Sequence, residues 1–289
     1  MKVEKNPNTV SEYWARIPVK TVRGGVWVGI KPYEPLPMNA KICESRLYKQ
    51  GSNWFLYLVV EQDVPEKSEY QNVIGIDMGI KHIATSVELA SGKTIFYGKQ
   101  LNRVRGHYFW LRKNLGKAKA IDTIKKIGER ESRTTNDMLH KISREIVDQA
   151  IATDAAIVIG NLKHLRRNRI QQRRKRGARL LNSFPYSRLT QYIKYKAALE
   201  GIKVIEVSKA WTSQTCTECR NKGVRLTQGL FKCEHCHTEE NADRNAAFNI
   251  AKRGLGYMSK LGVSVNMPRT SAMHSLSAMM SGEAIALAR

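Results

Sequence analysis

The stretch Val73-Ile74-Gly75-Ile76-Asp77 runs without a polar side chain until it stops at a carboxylate. An unbroken apolar run suits a strand covered on both faces, whereas a strand with one wet face would alternate. Ile83 to Leu89 and Thr94 to Tyr97 follow at hairpin spacing, so the three predict a meander. From Leu101 to Ala152 the period becomes helical, with Leu111, Leu115, Ile121, Ile124 and Ile127 set among basic residues, and two long basic helices are expected. Beyond them come a second buried strand, Ala155 to Ile159, a helix from Leu189 to Leu199 closed by Gly201, and a strand from Ile202 to Val207. Strands separated by helices after a meander give an α/β class with a mixed sheet. Upstream, short β-prone runs at residues 13 to 19, 26 to 30, 41 to 47 and 54 to 61 are separated by Gly24-Gly25, Pro35 to Pro37 and Gly51-Ser52. They predict a small partial β-barrel.

Lysine and arginine number 49 against 25 aspartates and glutamates, a net charge of +24 that exceeds what solubility needs and points to a polyanionic partner. The charge is densest where Lys163, Arg166, Arg167, Arg169, Arg173, Arg174, Lys175, Arg176 and Arg179 leave nothing from which to build a core. Such a segment is expected to order on a phosphate backbone. The sequence has no apolar run of the roughly 18 residues that a membrane span needs, and Met1-Lys2-Val3-Glu4-Lys5 does not open a leader peptide. The cysteines are not spaced like a secreted disulfide framework. The expectation is a cytoplasmic chain, nucleoid-associated in a prokaryote, with no membrane partner.

Cys216-Thr217-Glu218-Cys219 and Cys233-Glu234-His235-Cys236 are two knuckles that a short hairpin can bring into one tetrahedron of thiolates. Four sulfurs close the shell and leave no position for a substrate, so a zinc held there is structural, with His235 and His237 outside it. Trp211 and Phe231 are expected to pack against the knuckles. Asp77, at the end of a buried strand, needs a cation or hydrogen bonds to compensate its charge. Asp243 sits in Asn241-Ala242-Asp243-Arg244-Asn245-Ala246-Ala247-Phe248-Asn249-Ile250, which reads as the start of a helix. Taken singly, each acid is as readable as a capped strand end or a helix N-cap; together they could share divalent metals.

With the knuckles between them, these segments resemble the TnpB family. IGIDMGIKHIAT, DMLHKISREIV, AAIVIGNLK, EVSKAWTSQTC, the knuckles and ADRNAAFNIAKRG occur in that family's order over residues 13 to about 253. The resemblance implies a transposon-encoded, RNA-guided DNA endonuclease related to the miniature type V CRISPR effectors. It implies a wedge-like partial barrel over 1–68, an RNase H-like RuvC domain over 69–208 with basic helices 101–152 inserted, a zinc ribbon over 209–240, the last RuvC-like helix over 241–253 and a tail over 254–289. The implied partners are a guide RNA and a double-stranded DNA target, and the implied cofactors are structural zinc and catalytic magnesium. Family members usually carry a longer N-terminal portion with a helical recognition domain, so that role is expected to fall to the guide RNA, a separate recognition subunit or a second copy.

At the end of AAIVI, where the family has its catalytic Glu, this sequence has Gly160. Glu206, on the neighbouring strand, is the replacement candidate, as in relatives with a relocated Glu, and the expected catalytic set is Asp77, Glu206 and Asp243. Cleavage by it would leave 5′-phosphate and 3′-hydroxyl ends. The alternative is a nuclease-dead RNA-guided binder that represses transcription by occupying its site. A junction resolvase would share the core but not the ribbon and its TSQTC run. A ribosomal zinc-ribbon protein would account for charge and zinc, but not for Asp77 and Asp243.

Overall fold

A computed structural model describes residues 2–33, 36, 41–65, 67–162, 184–227 and 229–267. The basic segment from Lys163 to Arg179 lies outside the described residues. The chain divides into two compact units, Met1–Val64 and Pro65–Arg289.

In the first unit β1 (Lys2–Lys5), β2 (Tyr13–Val19) and β3 (Val22–Ile30) form an antiparallel sheet. β4 (Lys41–Ile42) pairs with β7 (Val60–Glu61), and β5 (Arg46–Gln50) with β6 (Asn53–Tyr57). The expected partial barrel is therefore three separate ladders among the described residues. Every residue of β5 and nearly every residue of β3 is exposed, which leaves no inward apolar row on which a barrel could close. Gly24-Gly25 does not separate one strand from the next; both glycines lie inside β3 at φ 92° and 78°, opposite the register shift between Ile17 and Val19. Glycine there lets a bulge form.

The second unit is built on a five-stranded sheet of β9 (Asn72–Asp77), β10 (Ala84–Glu88), β11 (Thr94–Tyr97), β12 (Ala155–Asn161) and β13 (Val204–Ser208), in the order β11-β10-β9-β12-β13. The first three form the expected antiparallel meander; β12 runs parallel to β9, and β13 parallel to β12. All six residues of β9 are buried, as its apolar run requires. β8 (Glu69–Tyr70) pairs in parallel with β17 (Ser264–Val265), and β14 (Val224–Arg225), β15 (Leu230–Lys232) and β16 (Glu239–Asn241) form a small separate sheet.

Residues 101 to 152 form three helices rather than two: α1 (Leu101–Lys117), α2 (Ile121–Ile127) and α3 (Arg130–Ala152). The breaks fall at Lys119, φ 53°, and Gly128, φ 47°, left-handed positions that end a helix. α4 (Tyr186–Leu199) and α5 (Ala242–Lys260) complete the unit. α5 continues through Gly254 to Lys260, where a tail was expected, because Gly254 and Met258 are buried against the sheet. Among the described residues no helix is long and apolar enough to cross a membrane.

One face of the sheet packs Ile74, Ile76, Ile157 and Ile159 against Leu139 and Ile146 of α3 and Leu189 and Ile193 of α4. The other packs Val73, Val158, Ile205 and Val207 against Ile250, Ala251 and Met258 of α5. Contact with α5 is closest at Gly75, where an added Cβ would stand 2.7 Å from both Cβ and N of Ala251 and would drive into the Ala247 carbonyl. Gly75→Ala is therefore expected to destabilise the protein by about 2–3 kcal/mol, the upper range for an overpacked core. Gly256→Ala, in the same helix with open space around it, is expected to stabilise by about 0.5–1 kcal/mol. Urea denaturation of the two variants checks both signs.

Candidate functional site

Side chains alternate along a strand, so Asp77 shares the α5 face of the sheet with Val73 and Gly75. Asp243 lies in the first turn of α5, but it is not the cap. Asn241 accepts hydrogen bonds from the backbone N–H of Asp243 at 2.9 Å and of Arg244 at 3.2 Å, which releases the Asp243 carboxylate for other contacts. Asp77 is 3% and Asp243 6% exposed. Both border a cavity of about 1410 Å³ at the C-terminal edge of the sheet, which Gly160, Lys194, Glu206, Lys209, Trp211 and Arg225 also line.

Gly160 belongs to the Asp77 face, since a Cβ there would meet Ile250 Cδ1 of α5 at 2.7 Å. Glu206 belongs to the other. It lies in register with Ile159; its neighbours Ile205 and Val207 pack toward α5, and Val204 packs toward α3 and α4. Glu206 accordingly reaches α4, where its Oε1 lies 2.5 Å from Lys194 Nζ. β12 also separates β13 from β9, which at about 4.8 Å per strand puts their backbones about 10 Å apart. The three acids picked out from sequence thus border one cavity, but only Asp77 and Asp243 share a face of the sheet.

Each of those two has a cation of the protein beside it. Lys209 Nζ lies 2.5 Å from Asp77 Oδ1 and donates to the Met78 carbonyl at 2.7 Å. Arg225 Nη2 donates to Asp243 Oδ1 at 2.9 Å. The Asp77–Lys209 contact is an ion pair without good hydrogen-bond angles, and Oδ1 receives no other donor among the described residues. Burial pushes the Asp77 carboxyl above the ordinary carboxylate range; Lys209 opposes this most strongly, Asp243 adds to it and Arg225 subtracts from it. A two-cation hydrolytic centre gathers several carboxylates around its ions. Here the third position on the shared face is a glycine, Glu206 leaves the far face, and an ammonium stands on Asp77. The residues present do not fit such a centre.

The knuckles do fit a metal. Their four sulfurs lie within 4.8 Å of one another, with Cys216–Cys236 at 3.6 Å and Cys219–Cys233 at 3.4 Å, near the edge of about 3.8 Å expected for a tetrahedron with Zn–S of about 2.3 Å. The two turns repeat each other: the residue after the second cysteine of each pair, Arg220 at φ 62° and His237 at φ 58°, is left-handed. Burial pushes the Cys216 thiol up to about 12, whereas Thr238 brings Cys236 down to about 6, so full deprotonation of the cluster calls for a cation. Phe231 is buried among the cysteines as expected. Trp211 is not: it is 67% exposed and borders the cavity.

Lys209, Arg225 and a pair of asparagines were not legible as site residues. Asn245 and Asn249 of α5 donate to the Thr215 carbonyl at 2.9 and 2.7 Å, and Asn249 also to the Thr212 carbonyl at 3.0 Å, tying the TSQTC run to the helix. Their i,i+4 spacing on a helix otherwise lined with alanine was the available signal.

A carboxyl whose folded pKa is raised binds protons more readily when folded, so its contribution to stability is lost as pH rises through that raised value. Asp77→Asn is therefore expected to be more stable than the parent at pH 7, with the gain vanishing as pH falls toward the ordinary 3.8. Denaturation midpoints of both proteins across that range test it; a variant less stable at pH 7 would contradict the sign.

Two family models match in chain order, one described as "Probable transposase" over residues 57–171 and one as "Cas12f1-like, TNB domain" over residues 186–250. The chain is 30% identical to the CRISPR-associated endodeoxyribonuclease Cas12f1 of Sulfoacidibacillus thermotolerans over 69% of its own length and 50% of the relative's. It is 28% identical to a TnpB-like protein of Methanocaldococcus jannaschii over 66% of its own length and 72% of the relative's. Its fold matches a Cas12f1–sgRNA–target DNA complex solved by cryo-EM with a TM-score of 0.54 at 24% identity, covering 72% of this chain and 56% of that one. The chain thus spans about half the length of the Cas12f relatives it matches. Alongside the cysteine cluster and the α/β sheet that carries Asp77 and Asp243, the chain thus carries a transposase-family match and a Cas12f1-like match in order, and its homologues are TnpB-like proteins and Cas12f.

Proposed function

We propose that this chain is a guide-RNA-dependent DNA-binding protein of the TnpB type whose carboxylate centre does not cleave, so that it acts by occupying its target, as a transcriptional repressor does. The observation that carries this reading is the division of the acids between two faces of the sheet: Asp77 and Asp243 toward α5, Glu206 toward α4. The strand order, counted along the chain as 3-2-1-4-5 with helices on both faces, supports an RNase H-like RuvC-type domain. The kinship with Cas12f, and the sgRNA and target DNA with which the matched Cas12f1 was solved, support RNA and DNA as partners.

In such a complex base pairing reads the sequence, and the protein holds backbone and shape. The net charge of +24 serves that purpose, with Lys163 to Arg179 and the basic helices α1 to α3 as the candidate channel. Zinc on the four cysteines would fix the ribbon, and Asn245 and Asn249 would fix its approach to α5. Trp211 supplies a stacking surface. Its backbone is left-handed at φ 66°, held there by Gln214 and Thr215 N–H groups that donate to its carbonyl, and Lys222 Nζ lies 5.9 Å from its ring.

A second reading, a rearranged endonuclease using Glu206, is favoured by one observation: Glu206 borders the same cavity as Asp77 and Asp243. Purifying the protein with its RNA, sequencing that RNA and adding guide-matched duplex DNA with Mg²⁺ separates the two. The expected outcome is one defined RNA, a guide-dependent gel shift and no cleavage. Cleavage abolished by both Asp77→Ala and Glu206→Ala would establish the endonuclease, and ribosomal RNA or no defined species would remove the guided reading. Trp211→Ala is expected to weaken single-stranded DNA binding by about 1–3 kcal/mol, the usual worth of one stacked base, and Trp211→Phe to retain most of it.

A further inference from the structure

We infer that Lys209 is the resident cation of the carboxylate centre, its ammonium standing where a divalent ion would meet Asp77 and excluding that ion. The inference rests on the non-cleaving reading and gives it a physical cause. Lys209 follows β13 directly, and its Cβ lies 3.6 Å from where a Cβ on Gly160 would be. The lysine stem therefore passes beside the space that a longer residue at 160 would use. Its side chain is only 15% exposed, and its Nζ donates to the Met78 carbonyl at 2.7 Å while lying 2.5 Å from Asp77 Oδ1 in an ion pair.

The backbone end is fixed as well. The Lys209 carbonyl accepts from Thr212 Oγ1 at 3.0 Å, and Asn249 of α5 donates to the Thr212 carbonyl at 3.0 Å. A lysine held at both ends inside a cavity differs from a surface lysine that finds an acid by chance, because little rotamer freedom remains to be lost. Arg225 stands on Asp243 in the same way, so the two buried acids meet two cations and the pair of pairs is neutral without any ion. A divalent ion entering would find one carboxylate oxygen already in ion-pair contact with an ammonium, and would face that ammonium's repulsion at a few ångströms.

Titration of the full-length, zinc-loaded chain with Mn²⁺, read by electron paramagnetic resonance, tests this. The parent protein and Asp77→Asn are expected to show the same weak background. Lys209→Glu, which replaces the ammonium by a carboxylate beside Asp77, is expected to bind one further Mn²⁺ at least about tenfold more tightly, and the double variant Asp77→Asn/Lys209→Glu to lose it. Should Lys209→Glu fold poorly, Lys209→Gln carries the same comparison with the repulsion alone removed. Mn²⁺ binding by the parent that Asp77→Asn abolishes would overturn the inference, as would no gain in either Lys209 variant. Absence of a defined RNA would sink the guided reading while leaving this metal pattern intact, so the two failures are distinguishable.

Discussion

The close approach of α5 to β9 is the constraint on which the rest of the second unit depends. Gly75 on the strand and Ala247 and Ala251 on the helix let backbone meet backbone, with no side chain between them. Any bulkier residue in that seam would lift the first turn of α5 off the sheet and take Asp243 away from Asp77. The same helix presents Asn245 and Asn249 to the TSQTC run, so one rigid element sets both the pairing of the acids and the position of the cysteine ribbon.

That burial decides what the acids can do. Two carboxylates out of water need compensation, which an ion or the side chains of the protein can supply. Here Lys209 and Arg225 supply it, although burial still outweighs Lys209 at Asp77, whose carboxyl stays raised. Glu206 is in a different position: its partner Lys194 is half-exposed, and the pair lies on the α4 side where solvent screens it. Glu206 thus borders the cavity from the α4 side, whereas Asp77 and Asp243 border it from the α5 side.

The sheet was legible where hydrophobic period alone determines structure. The apolar run of β9, the meander after it and the helix closed by Gly201 all stand as expected. The knuckles were legible because thiolate spacing is a local property. The face of Glu206 was not, because it depends on the register Ile159 to Glu206 between strands far apart in sequence, and a slip of one residue reverses every side chain. Lys209 was hidden for the same kind of reason. A lysine after a strand is unremarkable until the fold brings a buried carboxylate to its tip. The three ladders of the first unit escaped notice because alternation signals a strand without showing whether its apolar row has anything to cover.

On the non-cleaving reading proposed above, Gly160 would not by itself account for a centre that fails to hold divalent ions. The group that a side chain at 160 would strike is the terminal methyl of Ile250, the far end of a flexible side chain, so a longer residue there needs only a small shift. Space on the Asp77 face is thus not the main obstacle. Charge is the other factor: a carboxylate placed at 160 would still find the Lys209 stem beside it and the ammonium already against Asp77. Loss of one acid would leave a weakened metal site, whereas a cation set against Asp77 also offsets part of the charge that an ion would otherwise offset. On that reading Lys209, more than Gly160, is the proposed barrier between Asp77 and a divalent ion.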